Sequence, residues 1–335
     1  MNKPRIAING FGRIGRMMLR CNLVRDLVDI VAINDLSPSN VAAHLLKHDS
    51  TYGSIKDDIK AEGNSLIIND KKIQLFATRE PLELPWGDTG IDVVLEATGV
   101  FTDREGAGKH IKAGARRVIV TAPAKNPDAT FVRGVNCGSF DPKKHFIVSN
   151  ASCTTNCLAP MAKVLDETFE IQRGFMTTVH AYTSDQNLLD NAHKDLRRAR
   201  AAGLSLIPTS TGAAKAIGEV LPHLAGKLNG VAVRAPTPTV SLVDLTCDMG
   251  KAPKDAAEVN NTLRKAASAG SLKGILHVED EPLVSVDFKH NEYSSIVDSA
   301  LTMVIGNMVK TFAWYDNEWG YSMRTIELAA MIGAA

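Results

Sequence analysis

The sequence predicts an α/β protein of two domains: a doubly wound parallel sheet, then an α+β domain with a mainly antiparallel sheet. Three observations carry this. The chain has 335 residues, more than one ordinary hydrophobic core serves. Its first half alternates short apolar runs ending in small residues with segments of helical periodicity, the rhythm of a parallel sheet. Its second half holds longer runs in which apolar and polar residues alternate, as in antiparallel strands with one buried face. The expected division is 1–150 and 151–315, with an amphipathic helical segment over 316–335.

Composition narrows the partners. Charged residues make up 22% and hydrophobic ones 44%, with a net charge of +1, an ordinary globular balance. No nucleic acid or anionic membrane is expected as the main partner. The start "MNKPRIAING" enters a short apolar strand without the longer run and cleavage site of a secretory signal. No apolar run approaches the roughly 20 residues that span a bilayer. Five cysteines do not make a disulfide scaffold, so free thiols in a reducing cytoplasm are expected.

The first element is "RIAINGFGRIGRMMLRCNL", which reads as strand, glycine turn and helix. Gly10, Gly12 and Gly15 fit G-x-G-x-x-G, and Ile14, Met17, Met18 and Cys21 follow at helical spacing. Such glycines permit a tight turn, backbone approach to a pyrophosphate and close helix–strand packing, with the helix N-terminus facing the phosphates. The second strand, "DIVAIND", ends in Asp35, 20 residues after Gly15, where a carboxylate can accept hydrogen bonds from a ribose 2′-hydroxyl. This is a Rossmann-type dinucleotide pattern. Asn9, Phe11, Arg13 and Ile14 of the same turn join the candidate cofactor contacts. "SLIINDKKIQLFATREP" predicts a hairpin, with "NDKK" between two apolar runs. "IDVVLEATG" and "RRVIVTAP" are further strands, with a helix over 103–113 between them. Thr98, Gly99 and Thr121 lie at strand carboxyl ends, where open α/β sheets bind ligands.

The first domain runs into "SNASCTTNC", residues 149–157. Ser, Thr and Asn favour caps and turns, while Leu158, Met161, Val164, Leu165 and Phe169 recur with helical spacing. A helix starting near Ser152 or Cys153 puts the Cys153 thiol at its positive end, which is expected to lower the thiol pKa. Cys157, one turn on, is expected to pack as a small hydrophobe. Pro160 removes a helical hydrogen bond and predicts a kink. A zinc site lacks further ligands at recognisable spacing, and a disulfide four residues apart in a helix is geometrically poor. A nucleophilic cysteine beside a nicotinamide is the remaining reading. His180 closes a strand-like run over 174–179 and enters a polar loop, where it could serve as base. It is one of nine histidines, and the residues alone do not single it out.

Taken together, "INGFGRIGR", "SNASCTTNCLAP", "TTVHAYT", "HKDLRRARAA", "IPTSTGAAKA", "GKLNGVAVRAPTPTVSLVDL" and "WYDNEWGYS" resemble, in order and over essentially the whole chain, phosphorylating glyceraldehyde-3-phosphate dehydrogenases. The resemblance implies Cys153 as nucleophile, His180 as its base, Asp35 on the adenosine ribose and Asn317 on the nicotinamide amide, with Arg79 a further cofactor position. It implies Thr183, Arg198 and Arg234 for the substrate phosphate. Ser152, Thr154, Thr211 and Gly212 serve the attacking inorganic phosphate, with Arg234 near both. It also implies a homotetramer, an S-shaped loop over 181–203 reaching a neighbouring subunit's cofactor, and a last helix returning to the first domain. Members restricted to NAD carry Leu-Pro after "LLD"; this chain has Asn191 and Ala192, and Ser37 and Ser39 follow Asp35. These favour NADP, but the Asp35 carboxylate would repel a 2′-phosphate, so NAD is expected, with NADP as the alternative, and no metal. Erythrose-4-phosphate dehydrogenase is the enzyme alternative, disfavoured by the intact "STGAAKA" phosphate loop. A non-catalytic NAD-loaded binding or adhesion protein is the other.

Overall fold

The computed structural model describes residues 3–335. The chain divides into two units, one holding residues up to 131, 138–151 and 322–335, the other 132–137 and 152–321. This grouping differs from the sequence-based boundaries at 132–137 and 316–321, which join the second unit, and at Ala151, which joins the first. The reasons are local. The Ser271 hydroxyl donates to the Gly134 carbonyl at 2.7 Å, and the Asp316 carboxylate accepts the His290 N–H at 3.0 Å.

The first unit's strands are β1 (Arg5–Asn9), β2 (Asp29–Asn34), β3 (His48–Asp49), β4 (Gly53–Ser54), β5 (Ile59–Ala61), β6 (Ser65–Ile68), β7 (Lys71–Phe76), β8 (Val93–Glu96), β9 (Arg117–Val120), β10 (Ala129–Thr130) and β11 (Ile147–Ser149). β3 and β4 form a separate pair; the rest make one sheet in the order β10-β11-β9-β8-β1-β2-β7-β6-β5. From β10 to β7 the pairing is parallel, which needs helical crossovers. Helices α1 (Arg13–Arg25), α2 (Ser39–Lys47) and α3 (Arg104–Lys112) lie in these connections. Every residue of β8 and β9 is buried, as the unbroken apolar runs require. The expected hairpin is β6–β7, and Asn69 and Asp70 both take left-handed φ at its turn, a conformation their short side chains tolerate. Trp86, Val94, Val118 and Val120 are central to the core between sheet and helices.

The second unit begins with α4 (Cys153–Phe169), buried along most of its length and unbroken through Pro160. Its strands are β12 (Ile171–Ala181), β13 (Ile207–Ser210), β14 (Leu228–Ala235), β15 (Ser241–Met249), β16 (Leu276–Glu279), β17 (Ser295–Asp298), β18 (Met303–Ile305) and β19 (Met308–Tyr315). They form one sheet in the order β13-β14-β12-β15-β19-β17-β16, with β18 on β19. Most pairs are antiparallel, but β12–β14 and β16–β17 are parallel. β15 alternates buried and half-buried residues along its whole length, the pattern of a sheet with one covered face. Helices α5 (Ala213–Val220) and α6 (Ala256–Ser268) complete this unit, and α7 (Trp319–Gly333) starts in it and ends in the first. Pro236 and Pro238 fall in the bend between β14 and β15, where no ladder hydrogen bond is lost. Among the described residues no helix is long and apolar enough to cross a membrane.

Candidate active site

The glycine turn of the first unit is built by absent side chains. Gly10 takes φ +93°, and a Cβ there would sit 2.7 Å from the Thr98 nitrogen. A Cβ on Gly15 would lie 2.2 Å from the Gly10 carbonyl oxygen, so helix and turn approach as only glycine allows. A Cβ on Gly12 would meet nothing within 4 Å, leaving open space beside the start of α1. Asp35 closes the turn: its Oδ2 accepts the Phe11 N–H at 2.7 Å and its Oδ1 the Ser37 N–H at 2.8 Å. Each oxygen keeps a second acceptor direction for a ribose hydroxyl. An open glycine beside a helix N-terminus and a pinned carboxylate fit a dinucleotide.

The other expected cofactor residues divide. Asn9 is buried and its amide is spent internally, donating to Glu96 Oε2 at 2.5 Å and accepting from Asn34 Nδ2 at 2.7 Å. Its side chain clamps the strand ends, so only its backbone is left to face a ligand. Thr98 is tied through both its N–H and hydroxyl to Glu96, and the Thr121 hydroxyl donates to the Glu96 carbonyl at 3.0 Å. Arg13 pairs with the buried Asp49 carboxylate, whose Oδ1 also accepts the Thr51 and Tyr52 N–H groups, holding Asp49 below the usual carboxylate range. Phe11 is buried, Ile14 half-buried, and Gly99 has φ +73° just past β8. Arg79 is exposed, and among the described residues its side chain has no partner.

In the second unit the thiol lies where the cap residues imply. Ser152 is the N-cap of α4, and its hydroxyl accepts the Thr155 N–H at 3.0 Å. The preceding Ala151 is held at φ +54°, a strained value for alanine, at the turn that aims the helix start. Cys153 Sγ lies 3.4 Å from His180 Nε2. Cys157 is buried near Ser295 and the Ala313 carbonyl, as a small hydrophobe.

One expectation is overturned. The helix terminus does not leave Cys153 with a lowered pKa: burial pushes the thiol up, against the Arg234 charge and Thr154 hydrogen bonds that pull it down. Burial, with the neighbouring Arg234 charge, also holds His180 down to about 3. Both shifts favour the uncharged forms, since a charged pair here loses solvation. His180 also lies within β12, not in the loop beyond, and is buried.

The remote side of His180 is crowded. Its Nδ1 lies 2.6 Å from the Ala181 carbonyl and 2.7 Å from Arg234 Nη1, which itself donates to that carbonyl at 3.1 Å. One nitrogen cannot donate to the carbonyl and accept from the guanidinium together, so these contacts define alternative tautomers. The parallel pairing of β12 with β14 places His180 directly opposite Arg234.

The expected phosphate residues fall into two sets. Arg198 is held by Asp185 at 2.5 Å, by the Thr209 hydroxyl at 3.0 Å and by the Ser210 carbonyl. Thr183 lies in the loop after β12, and its N–H meets Gln186 Oε1 at 3.4 Å. Thr211 and Gly212 precede α5, with Thr211 Oγ1 accepting the Ala213 N–H at 3.2 Å. Thr154 is buried and bonded to the Tyr315 hydroxyl at 2.9 Å, and Ser152 is spent on its cap. Asn317 lies between β19 and α7, its Oδ1 accepting from the Ser241 hydroxyl at 2.9 Å. Among the described residues no cluster of three or more His, Cys, Asp or Glu could hold a metal.

Tyr315, Ser241, Asp185 and Asp49 escape the sequence reading. Tyr315 bridges the Thr154 and Thr178 hydroxyls, each at 2.9 Å, and its ring meets His180 edge-on. Alternation in "TFAWY" marks Tyr315 as inward-facing, but its partners come from distant segments that only the fold joins.

The comparisons with known proteins agree with this architecture. Residues 4–104 match the family model described as glyceraldehyde 3-phosphate dehydrogenase, NAD binding domain, and residues 152–317 match its C-terminal domain. The chain is 56% identical over 331 residues to a glyceraldehyde-3-phosphate dehydrogenase of Geobacillus stearothermophilus, covering 98% of each. It is 54% identical to one from Priestia megaterium, again covering 98% of each. It is 57% identical to the chloroplastic glyceraldehyde-3-phosphate dehydrogenase A of Chlamydomonas reinhardtii, covering 98% of this chain and 88% of that one.

Proposed function

The chain belongs to the glyceraldehyde-3-phosphate dehydrogenase family, and we propose that its reaction runs through the Cys153–His180 pair. It is an NAD-dependent oxidoreductase that converts D-glyceraldehyde 3-phosphate and inorganic phosphate to 1,3-bisphosphoglycerate. The observation that carries the residue assignment is the 3.4 Å approach of Sγ to Nε2 at the start of α4. The family matches do not favour the erythrose-4-phosphate or non-catalytic alternatives.

The thiol attacks the aldehyde carbon, and His180 carries the thiol proton to the carbonyl oxygen, giving a hemithioacetal on Cys153. NAD, when bound, supplies the hydride acceptor. His180 takes the hemithioacetal hydroxyl proton as the carbon loses its hydride, which leaves a thioester on Cys153. A phosphate oxygen then attacks the thioester carbonyl. The C–S bond breaks, the acyl phosphate departs, and the sulfur regains a proton from His180.

His180 can accept a proton at Nε2 only if Nδ1 carries the other hydrogen. That hydrogen belongs on the Ala181 carbonyl, 2.6 Å away, so the Arg234 guanidinium must turn from Nδ1. An anion beside Arg234 gives it that alternative partner, so we assign Arg234 to phosphate and to tautomer choice together. Arg198 and Thr183 are assigned to the substrate phosphate, and Ser152, Thr154, Thr211 and Gly212 to the inorganic one. Gly10, Gly12, Gly15 and Asp35, with the backbone from Asn9 to Ile14, are assigned to the dinucleotide. Thr98, Gly99, Thr121 and Asn317 join them. The exposed Arg79, unpartnered among the described residues, and Ser37 and Ser39 after Asp35 support NADP as a second cofactor.

A homotetramer is proposed because the loop after β12 exposes Leu188, Leu189, Leu196, Leu204 and Leu206, with Leu188 84% exposed. Phe175, Val231 and Ile305 add exposed apolar surface on strands. Such surface calls for cover by protein. Cytoplasmic residence is proposed from the five free thiols. The domain assignment follows the same reading: 1–150 with 316–335 for NAD, and 151–315 for the substrate.

Intact-mass analysis of protein mixed with substrate and NAD in phosphate-free buffer tests the residue assignment. One acyl group per chain, absent in Cys153→Ser and released by phosphate, is expected. An acyl group that persists in Cys153→Ser would overturn it.

A further inference from the structure

We infer that Ser241 is the positioning residue that sets the Asn317 side-chain amide for the nicotinamide, an inference that rests on the assignment of Asn317 above. Asn317 is nearly buried at 5% exposure, yet its Nδ2 has no partner among the described residues. A donor that keeps solvent access on an otherwise buried side chain leaves room for an acceptor that arrives with a ligand.

The direction of that donor is set by a relay. Ser241, the first residue of β15, is fully shielded from solvent. Its Oγ accepts the Ala181 N–H at 3.1 Å, and the hydroxyl donates to Asn317 Oδ1 at 2.9 Å. Were the amide turned over, an NH2 group would face a hydroxyl already accepting, and the hydroxyl proton would lose its acceptor. The relay therefore holds Oδ1 inward and leaves Nδ2 to the ligand, the polarity that recognises a carboxamide oxygen. The Asn317 backbone is pinned as well: Asp316 Oδ1 accepts the Glu318 and Trp319 N–H groups, and its Oδ2 that of His290.

The relay starts at the residue next to the base. Ala181 gives its N–H to Ser241, while its carbonyl takes the His180 and Arg234 contacts. Without the Ser241 hydroxyl, the amide rotates and the strand end loses a tie.

Calorimetric binding of NAD and of ADP-ribose, which lacks the nicotinamide, tests this on the wild type, Ser241→Ala, Asn317→Ala and the double variant. In Ser241→Ala, NAD affinity falls about tenfold, while ADP-ribose stays within about twofold, which also reports an intact fold. The double variant binds NAD no more weakly than Asn317→Ala, because Ser241 acts through Asn317. An unchanged NAD affinity in Ser241→Ala, an equal loss for both ligands, or additive losses in the double variant overturns the inference alone. Asn317→Ala with unchanged NAD affinity overturns the Asn317 assignment and this inference with it.

Discussion

The glycine turn and the thiol site are made in opposite ways. The turn is one contiguous stretch whose shape depends on what is missing: no Cβ fits at Gly10 or Gly15, and none intrudes at Gly12. The thiol site is a convergence of side chains. Cys153 comes from the start of α4, His180 from β12, Arg234 from β14 and Tyr315 from β19, and only the sheet order brings them together. The first kind is written in spacing and can be read from the chain; the second is written in topology.

The largest expected effect breaks the convergent site at its centre. Cys153→Ser should cut phosphorylating turnover by on the order of 10⁴-fold or more, measured as NADH formation, with NAD affinity retained by calorimetry. Loss of NAD binding with the thiol would contradict the separation of roles. His180→Gln should cost about 10²- to 10⁴-fold in the same assay. A loss under tenfold would show that another base serves Cys153.

The turn can be broken in two distinguishable ways. Gly15→Ala forces a Cβ toward the Gly10 carbonyl and should lower stability by about 1–3 kcal/mol in urea melts. Gly12→Ala meets nothing, so stability should stay within about 0.5 kcal/mol while NAD affinity falls. The reverse order would show that the open space beside Gly12 is not used by a ligand.

The smallest effect concerns pH. His180 is held down to about 3 from its ordinary 6.5, so the unfolded chain binds a proton in this window that the folded one refuses. Its contribution is fully present above about 6.5 and is lost as pH falls toward 3. Relative to its value at pH 7.5, the stability of His180→Gln should therefore gain roughly 1–2 kcal/mol on the wild type at pH 5. A constant difference across the two pH values would show that His180 is not buried as a neutral group.

The two regions also explain what the sequence could disclose. The alternation of strands and helices, the hairpin at Asn69–Asp70 and the cap at Ser152 were legible because each is local. The raised thiol pKa is not legible in the sequence, because a helix N-terminus is local whereas the burial opposing it is assembled from remote residues. Asn9 lay inside the glycine pattern, yet its amide clamps Glu96 and Asn34, partners far along the chain. Ser241 and Tyr315 lie inside the stretches "PTPTVSLVDL" and "WYDNEWGYS", but nothing in either stretch shows their partners Asn317, Thr154 and Thr178. The exchanged boundary segments 132–137 and 316–321 were hidden for the same reason, since their ties run to 271 and 290.

The central claim is that a thioester on Cys153 waits for phosphate. Rapid mixing of the protein with glyceraldehyde 3-phosphate and NAD, with and without phosphate, tests it most directly. The account predicts one NADH per active site and then arrest without phosphate, and sustained turnover with it. Equal sustained turnover in both buffers would contradict it, because water would then be releasing the acyl group.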